Sequence, residues 1–522
     1  MPIRIEKDTN QPNSSGGGGN RGGGNFLGMI LRFLPFVLLF LLKRPKLLIP
    51  ILLVAGVWYF FLGGKEMLSG QLSSSDFSDQ FSLGASLDQE RFDQAQVFEP
   101  LAYGFSGRNQ LPASVSLAAH APQRRHQGRQ GSCVGWASAY AARTILQAKA
   151  TGQNPNQTAF SPAYLYNQIA LDGCEGAYML DAMKAMMENG AVPFQQFRYD
   201  DSDCSTYPNN QAIQLGRQFR IKGYNRLTVG SNNYKADVLA IKQNLAQGAP
   251  VVIGMMVGGS FMSRMLGQKV WYPGQSDYSM RGYSGHAMCV IGYDDNLDGG
   301  AFQIMNSWGE DWGDRGIAWV RYPDFERFVK EAYGLYPMGT TTDQTANNNK
   351  MAVEFGLLDL ASQSIIALAK KDDMSYRTVK PLRKKDRFKI LIANSIECYV
   401  YVLGQETDGS SYVLFPYTEK HSPYCGITGT RLFPKEESYV ADEIGNKDYM
   451  AIVVSKQELD YQKLNTAINN SRQTSYVLKL REALGSQRIT NLKFQAGQTV
   501  AFEAATADGK NVVGMVLEID KN

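Results

Sequence analysis

Residues 126–148 read HQGRQGSCVGWASAYAARTILQA, a glycine-rich turn followed by an apolar stretch. Apolar residues recur in that stretch at helical spacing, namely at Val134, Ala137, Tyr140, Ala141 and Ile145. The pattern predicts a helix that begins at Cys133. A thiol at a helix N-terminus lies near the positive end of the helix dipole, which favours the thiolate. Cys133 is therefore a candidate nucleophile, with a buried structural cysteine as the alternative.

Among the four histidines, His286 lies in the most informative context. It belongs to SGHAMCVIGYDD, an apolar run with strand character that ends in an acidic turn, and a second strand-like run, QIMNSWGEDWGDRGIAWVRY, follows. Pairing of these strands would bring Asn306 close to His286. An amide oxygen that accepts from one ring nitrogen orients the imidazole and leaves its other nitrogen facing a thiol. A core histidine beside a turn asparagine explains either residue alone, but it explains the set with Cys133 poorly.

This set of residues resembles the signature of the papain family. That signature has a glutamine six residues before the cysteine, a Gly-His-Ala segment and an Asn-Ser-Trp-Gly segment. This sequence has all three elements in the same order: Gln127, Gly285-His286-Ala287 and Asn306-Ser307-Trp308-Gly309. The resemblance covers about residues 111 to 337. It implies an α+β fold with a two-lobed, papain-like catalytic domain, made of a helical lobe plus a β-barrel lobe.

The resemblance also implies a role for each residue of the signature. Cys133 would attack a peptide carbonyl, and His286 would serve as acid and base while Asn306 orients it. Gln127 would stabilise the oxyanion with its side-chain amide, together with the backbone N–H of Cys133. Trp308 would cover the hydrogen bond between the histidine and the asparagine.

A third stretch, GCEGAYMLDAMKAMMENGAVPFQQFRYDD, resembles the family's Gly-Cys-x-Gly-Gly loop and the helix after it. By this resemblance, Gly176 and Ala177 would offer their backbone to an extended substrate. Tyr178 and Met179 would lie near the pocket for the second residue before the cleaved bond. The resemblance implies two further substrate-binding positions, Gly285 and Trp308. Ala177 replaces the second glycine of the family loop.

Two departures from the family pattern change what we expect. Val134 follows the cysteine directly, where the family usually has tryptophan, and Trp136 comes three residues after it. Gln130 occupies the position of a cysteine that pairs with the Gly-Cys loop. Cys174 therefore needs another partner, and Cys204 in DDSDCSTYP is the expected one if this part of the chain lies outside the cytoplasm. Two free thiols are the alternative.

The N-terminal part of the sequence predicts a tail and a membrane segment. Residues 1–25 contain NSSGGGGNRGGGN and are expected to be a disordered tail. Apolar runs then predict membrane segments within residues 26–64, with the main transmembrane helix over residues 47–64. The run at residues 26–42 contains an arginine and a proline, so it either lies in the interface or forms the first half of a hairpin.

The basic residues predict how this segment is oriented. Seven Lys or Arg residues precede Leu47, and only Lys65 lies close after the span. This bias places the N-terminal side of a single span in the cytoplasm. If both apolar runs cross, the loop between them is cytoplasmic. Either topology predicts anchoring in the cell inner membrane of a bacterium, with the catalytic domain on the non-cytoplasmic side.

The rest of the chain divides into a stalk, a linker and a last domain. Residues 65–110 lack the family's usual inhibitory motif and are interpreted as a stalk or linker, although a blocking role stays open. Residues 338–349 are polar and predict an interdomain linker. Residues 350–522 predict a separate α+β domain rich in strands, which opens with an amphipathic helix over residues 351–371. This last domain resembles a bacterial domain of uncharacterised role that occurs beside peptidases.

Composition excludes other classes of function. The 53 basic and 49 acidic residues nearly balance at a net charge of +4, without a basic run interleaved with aromatic residues, so a nucleic acid partner is not expected. The six cysteines lack the close pairs of a zinc site, so no metal or cofactor is expected. His421 and Cys425 predict a surface turn, and Cys289 is expected to lie in the core.

These observations predict a membrane-anchored cysteine endopeptidase that hydrolyses a peptide or protein substrate through a Cys-His-Asn mechanism. An envelope protein is the partner expected for the C-terminal domain. Two alternatives stay open at this point. One is a catalytically silent binding or scaffold module with a papain fold. The other is a cell-wall peptide hydrolase or acyl transferase that uses the same acyl-enzyme chemistry.

Overall fold

The computed structural model describes residues 3–7, 81–102, 111–229, 235–336, 350–435, 437–495, 499–506 and 510–522. No helix within these ranges is long and apolar enough to cross a membrane. The predicted membrane segments at residues 26–64 and the predicted linker at residues 338–349 lie outside the described residues. All of the described residues belong to one compact unit.

Residues 3–7 correct the prediction of a tail that is disordered throughout. They form strand β1 (Ile3–Lys7), which pairs with a strand near residue 440 in the C-terminal part of the chain. Ile3 is 1% exposed there. The alternation of apolar Ile3 and Ile5 with charged residues suits the edge of a half-buried sheet, which explains why this short stretch is ordered.

Residues 81–102 form an extended segment that we call the strap. It contains strand β2 (Ala85–Ser86) and one short helix, α1 (Gln89–Phe92). The side chain of Asp88 caps the helix by accepting from the backbone N–H groups of Glu90 and Arg91. The strap packs against both of the regions described next.

The first region, residues 111–336, begins with helices. Its α-helices before residue 220 are α2 (Cys133–Gly135), α3 (Thr144–Thr151), α4 (Pro162–Ile169), α5 (Met179–Glu188) and α6 (Asn210–Gly216). A π-helix, Trp136–Arg143, joins α2 to α3 without interruption. The predicted helix from Cys133 is therefore present. It ends where Gly152 takes a left-handed conformation with φ of 70°.

Strands dominate the rest of this region. They are β3 (Ser114–Ser116), β4 (Ala177–Tyr178), β5 (Tyr224–Arg226), β6 (Thr228–Val229), β7 (Lys235–Ala236), β8 (Val251–Val257), β9 (Val270–Trp271), β10 (Ser284–Asp294), β11 (Ala301–Met305), β12 (Ile317–Arg321) and β13 (Val329–Leu335). Helices α7 (Val238–Ala246), α8 (Gly259–Ser263) and α9 (Tyr322–Phe328) connect them. The main sheet has the order β5-β13-β8-β10-β11-β12-β9, and β3 joins β10. Its central strands β8 and β10 are nearly continuous apolar runs, because both of their faces are buried.

The C-terminal region, residues 350–522, is a sandwich of two sheets. Its strands are β14 (Lys350–Asp359), β15 (Ser364–Ile366), β16 (Leu368–Lys370), β17 (Ser375–Thr378), β18 (Arg387–Asn394), β19 (Cys398–Gln405), β20 (Ser411–Phe415), β21 (Tyr424–Cys425), β22 (Gly429–Phe433), β23 (Glu437–Ala441), β24 (Lys447–Ser455), β25 (Leu492–Gln495), β26 (Val500–Ala505) and β27 (Val512–Asp520). One sheet has the order β1-β23-β18-β14-β26-β25, and the other β16-β17-β27-β24-β19-β20. Side chains from both sheets share one core, among them Phe355, Ile390, Val400, Ile452 and Met515.

Two helices cover the outer face of the second sheet. Helices α10 (Tyr461–Asn470) and α11 (Tyr476–Leu484) bury Leu464, Ile468 and Leu480 against Tyr401 and Val453 of that sheet. The predicted strand-rich α+β character of the C-terminal region agrees with this arrangement.

The predicted amphipathic helix at residues 351–371 is wrong. The structure has strands β14, β15 and β16 there. Met351, Val353, Phe355 and Leu357 are all at most 3% exposed, which is the period of two of a strand. Strand β14 pairs on both sides, with β18 and β26, and these distant partners decide its conformation.

Candidate active site

The thiol of Cys133 lies at the junction between helix α2 and strand β10. Cys133 is fully buried. Its Sγ accepts a hydrogen bond of 3.4 Å from the backbone N–H of Ala287, the residue after His286. The helix therefore delivers its N-terminal cysteine to the strand that carries the histidine, as the sequence predicted.

Strand pairing brings His286 and Asn306 together. Strands β10 and β11 are antiparallel with Cys289 opposite Met305, so Asn306, which follows β11, lies near the part of β10 that carries His286. Nε2 of His286 and Oδ1 of Asn306 are 2.7 Å apart. Since an amide oxygen only accepts, Nε2 carries the proton and Nδ1 is the basic nitrogen. Within the described part of the chain, Nδ1 has no hydrogen-bond partner, which leaves it available to a thiol.

Trp308 covers this pair from the side. Its ring stacks on the imidazole of His286 with centroids 4.3 Å apart and planes inclined by 23°. Its Nε1–H donates to the carbonyl oxygen of Ser82 in the strap at 3.0 Å. Oδ1 of Asn306 also accepts from the backbone N–H of Ser307 at 2.8 Å, which holds the amide in the orientation that the imidazole needs.

Gln127 is held on three sides. Its Oε1 accepts from the hydroxyl of Ser307 at 2.6 Å, and its Nε2 donates to the carbonyl oxygen of Gln130 at 3.0 Å. The hydroxyl of Tyr199 donates to the backbone oxygen of Gln127 at 2.6 Å. These contacts fix the orientation of the Gln127 side-chain amide. The second N–H of its Nε2 can donate to another acceptor.

Ser307 and Tyr199 are positioning residues that the sequence interpretation missed. Ser307 lies inside the Asn-Ser-Trp-Gly segment, so its place in the motif was a signal. Tyr199 had none, because only the fold brings it beside Ser132 and Gln127. Its ring also meets that of Trp136 edge-on at 4.9 Å, so the displaced tryptophan packs against the same tyrosine that supports Gln127.

The predicted substrate-binding loop precedes helix α5, and its disulfide is confirmed. Cys174 and Cys204 are bonded, with Cα atoms 5.9 Å apart. Gly176 has a φ of 157°, and a Cβ atom there would lie 2.6 Å from the carbonyl oxygen of Gly84. A glycine is therefore needed at this position, because another segment of backbone lies too close to the loop for a side chain.

The chain that approaches this loop is the strap itself. Strand β2 pairs in parallel with β4, and the N–H of Ala177 donates to the carbonyl oxygen of Gly84 at 2.9 Å. The N–H of Gly84 donates to the carbonyl oxygen of Gly285 at 3.4 Å. The strap thus lies between the two sets of residues that the sequence assigned to substrate binding. Residues 81–102 therefore lie at the cleft, which agrees with the blocking role that the sequence left open beside that of a stalk or linker.

A leucine of the strap occupies the position predicted for a substrate side chain. A Cβ atom built on Gly254 would lie 2.5 Å from Cδ2 of Leu87 and 2.7 Å from Sδ of Met179, so these two side chains meet over that glycine. The next strap residue, Asp88, donates its N–H to Oε1 of Glu331 at 3.1 Å. Burial raises the pKa of Glu331 to about 7. The sequence interpretation did not single out Glu331, since a lone glutamate in a strand carries no local signal.

Burial of the site changes its electrostatics. Burial raises the pKa of the Cys133 thiol to about 12, against hydrogen bonds from backbone N–H groups that lower it. Burial also lowers the pKa of His286 to about 4, against the hydrogen bond to Asn306 that raises it. Both groups are therefore neutral at pH 7 beneath the strap. Returning water to the site would move both pKa values toward the thiolate and imidazolium pair.

The fold and the site have the arrangement of a papain-like cysteine protease domain. Residues 111–331 match the family model described as papain family cysteine protease. The chain therefore contains a papain-like cysteine protease domain, and the matched residues lie within the first region.

Known proteins resemble part of this chain. Cathepsin K of Mus musculus is 30% identical over 199 residues, which are 37% of this chain and 54% of cathepsin K. Cysteine proteinase 3 of Entamoeba histolytica is 26% identical over 39% of this chain and 61% of its own length. These matches thus span little more than half of each relative. Among solved structures, xylellain, a cysteine protease from Xylella fastidiosa, aligns at 23% identity with a TM-score of 0.40, covering 51% of this chain and 97% of xylellain.

Gly84→Ala should open the site. The added Cβ would lie 2.0 Å from the carbonyl oxygen of Gly131, and backbone cannot yield at that distance, so the strap must move out. Steric destabilisation of about 1–3 kcal/mol would raise the open population roughly 5- to 150-fold. We expect the rate at which an epoxide probe labels Cys133 to rise by the same factor in the full chain. Glu90→Ala, an exposed position of the strap, is the control, and a rate for Gly84→Ala equal to that of wild type would contradict the blocking role.

Proposed function

We propose that this protein is a cysteine endopeptidase that is latent while the strap covers its cleft. The observation that carries the proposal is the meeting of Cys133, His286 and Asn306, which come from three separate elements. A helix N-terminus, a central strand and the loop after the next strand converge with the basic nitrogen of the imidazole unpartnered within the described residues. The match of residues 111–331 to papain family cysteine proteases supports the same reading.

This geometry supports the following reaction. In the open site, Nδ1 of His286 takes the proton of the Cys133 thiol, and Sγ attacks the carbonyl carbon of the substrate. The oxyanion accepts hydrogen bonds from the backbone N–H of Cys133 and from Nε2 of Gln127. His286 then protonates the leaving amine, which leaves a thioester on Sγ. Water attacks the thioester as His286 removes its proton, and the acid product leaves with the thiol restored.

Substrate binding would use the surfaces that the strap now occupies. An extended peptide would pair with the backbone at Ala177, and an apolar side chain would take the place of Leu87 beside Met179. This arrangement supports a preference for an apolar residue two positions before the cleaved bond. All four signature positions are filled, and His286 and Asn306 are hydrogen-bonded, which argues against a silent binding module.

Substitutions in the Gly84→Ala background test the mechanism. Cys133→Ala should abolish both probe labelling and turnover of a fluorogenic peptide. Gln127→Ala should lower kcat by about 10²- to 10³-fold, because one donor to the oxyanion is lost. Asn306→Ala should lower turnover while leaving the Cys133 thiol present. The control is Cys289→Ala, which removes a buried thiol outside the site, and it should keep its labelling. Labelling or turnover that survives Cys133→Ala would refute the assignment.

We further propose that the chain is anchored in the cell inner membrane by residues 26–64, with the papain-like domain outside the cytoplasm. The apolar runs and the distribution of basic residues support anchoring. Strand β1 adds a constraint, since Ile3–Lys7 pairs with Glu437–Ala441 and must lie on the same side of the membrane. This favours the hairpin, in which both apolar runs cross, over a single span. The envelope partner predicted for the C-terminal region has no support beyond the sequence and stays a prediction.

Single cysteines at positions 10, 45 and 90 test this topology. The variants are Asn10→Cys, Pro45→Cys and Glu90→Cys, treated in spheroplasts with a thiol reagent that does not cross membranes. The hairpin predicts labelling at positions 10 and 90, and labelling at position 45 only after lysis. Labelling at position 90 alone would instead indicate one span. Labelling at position 10 without position 90 would overturn the proposed location of the papain-like domain.

A further inference from the structure

The second half of the strap, residues 97–102, leaves the cleft and enters a contact with the C-terminal region. Val97 forms a two-bond bridge with a turn of that region. The N–H of Val97 donates to the carbonyl oxygen of Lys420 at 2.9 Å, and the carbonyl oxygen of Val97 accepts from the N–H of Ser422 at 2.8 Å. The strap is therefore paired at both ends, with β4 of the first region and with the turn at residue 421 of the C-terminal region.

A buried arginine continues this contact. Nε of Arg431 donates to the carbonyl oxygen of Glu99 at 2.9 Å. The other two guanidinium nitrogens donate to Oδ1 of Asn394 and to the carbonyl oxygen of Ile427, both at 2.6 Å. Ala102 adds a backbone bond of 2.7 Å to Thr430. Arg431 is only 3% exposed, so its charged guanidinium is buried. One of its hydrogen bonds is made to the strap and is strengthened by the charge.

Apolar side chains of the strap complete the contact. Leu101 is buried in one cluster with Tyr336 of the first region and Ile427 of the C-terminal region, and Phe98 packs against that cluster. The ring of Phe98 meets that of Tyr336 edge-on at 5.5 Å. Nε2 of Gln243 also donates to the carbonyl oxygen of Leu101 at 3.0 Å. The end of the strap thus lies between the two regions and joins them.

We propose that the C-terminal region is a clamp that holds the strap in the active-site cleft. Only α1 and a short turn separate the first half of the strap, residues 81–88 in the cleft, from its second half, residues 97–102 in the clamp. The clamp therefore keeps the first half at a high effective concentration over the active site. Release of the clamped half lengthens the free tether and lowers that concentration. The proposal rests on the proposed function and assigns to the C-terminal region the control of latency.

A double variant in the strap tests the clamp without altering the clamp's own fold. In Val97→Pro/Phe98→Ala, proline removes the N–H that bonds Lys420 and alanine removes the ring that packs on Tyr336. Two readouts are made on the full chain, the rate of Cys133 labelling by an epoxide probe and the hydrogen-exchange rate of the Ala177 N–H, which is bonded to Gly84 in the closed state. Both should rise by about tenfold or more, the change that corresponds to roughly 1.4 kcal/mol. The control is Gln96→Ala, an exposed position beside the bridge, which should leave both rates unchanged.

The two readouts separate the clamp from the protease activity. Faster exchange together with faster labelling supports both proposals. Faster exchange at Ala177 without any labelling, in this variant and in Gly84→Ala alike, would support the clamp and count against the protease. Unchanged exchange at Ala177, with thermal unfolding showing that the chain is folded, would overturn the clamp whatever the labelling shows.

A second inference rests on an independent observation, the opposition of two cysteines. Cys398 of β19 and Cys425 of β21 are register partners in an antiparallel pair. Two residues along, the N–H of Val400 donates to the carbonyl oxygen of Pro423 at 2.8 Å, which identifies the hydrogen-bonded type of pair. In such pairs the Cα atoms are about 5.5 Å apart, which lies within the range that a disulfide spans. Cys425 is also buried, so the predicted surface turn is wrong for this residue.

We infer that Cys398 and Cys425 form a second disulfide. The thiolate of one attacks a small disulfide oxidant such as oxidised glutathione, giving a mixed disulfide and one released thiol. The other cysteine displaces the second glutathione thiol, so two protein thiols are oxidised as one glutathione disulfide is reduced. A hydrogen bond with the thiol of Cys398 lowers the pKa of Cys425, with a smaller contribution from Arg431, which favours attack by Cys425. The disulfide would link the two ends of residues 398–425, the segment that contains the turn hydrogen-bonded to Val97.

Peptide mapping of the full chain tests this inference. The chain is refolded with oxidised and reduced glutathione, its free thiols are alkylated, and it is digested without reduction. We expect a linked peptide pair that contains Cys398 and Cys425, and its loss in Cys398→Ser. The Cys174–Cys204 pair is the internal control for oxidising conditions. Alkylation of both Cys398 and Cys425 in a sample where Cys174–Cys204 is linked would overturn the inference.

Discussion

The packing of the helix N-terminus at Cys133 against strand β10 is the contact on which the rest of this site depends. It brings the thiol to the backbone of Ala287 and therefore to the residue next to His286. Every other element of the site is placed relative to that strand. Strand β11 delivers Asn306 through its pairing with β10, and Gln127 is tied to the same loop through Ser307. A change in the register of β10 would separate all of these groups at once, because a slip of one residue turns His286 to the opposite face.

Burial explains both the geometry of the site and the latency that we propose. The stacked tryptophan and the surrounding strands exclude water, which strengthens the hydrogen bond between His286 and Asn306. The strap completes that exclusion, and the same desolvation then favours the neutral thiol and the neutral imidazole. The resting protein is therefore neutral where its chemistry needs charge. A substrate that displaced the strap would bring polar groups and water to the site and relieve part of this cost.

The strap also links two regions that the sequence interpretation treated as separate. Its first half contacts the cleft and its second half contacts the C-terminal sandwich, with the helix α1 between them. Direct ion pairs join the same two regions, Lys222 with Glu397 at 2.6 Å and Lys435 with Asp237 at 2.9 Å. Partly exposed pairs of this kind contribute little to stability and chiefly fix orientation. The strap, with its backbone bonds and the buried Leu101, is the more extensive connection, which is why we assign regulation to the C-terminal region.

The sequence by itself singled out Cys133, His286 and Asn306, because local patterns encode a helix start and two pairing strands. Its resemblance to the papain family implied the fold of this part of the chain and the role of Gln127. The Cys174–Cys204 disulfide was predicted because Gln130 replaces the usual partner cysteine of the family loop. Only the tertiary structure decided that residues 351–371 are strands, since partners far along the chain impose that conformation on a pattern that also suits a helix. It also decided that residues 81–102 fill the cleft and that Tyr199 and Glu331 belong to the site. These contacts depend on complementarity between distant segments, and no periodicity or motif within one segment records what lies opposite it.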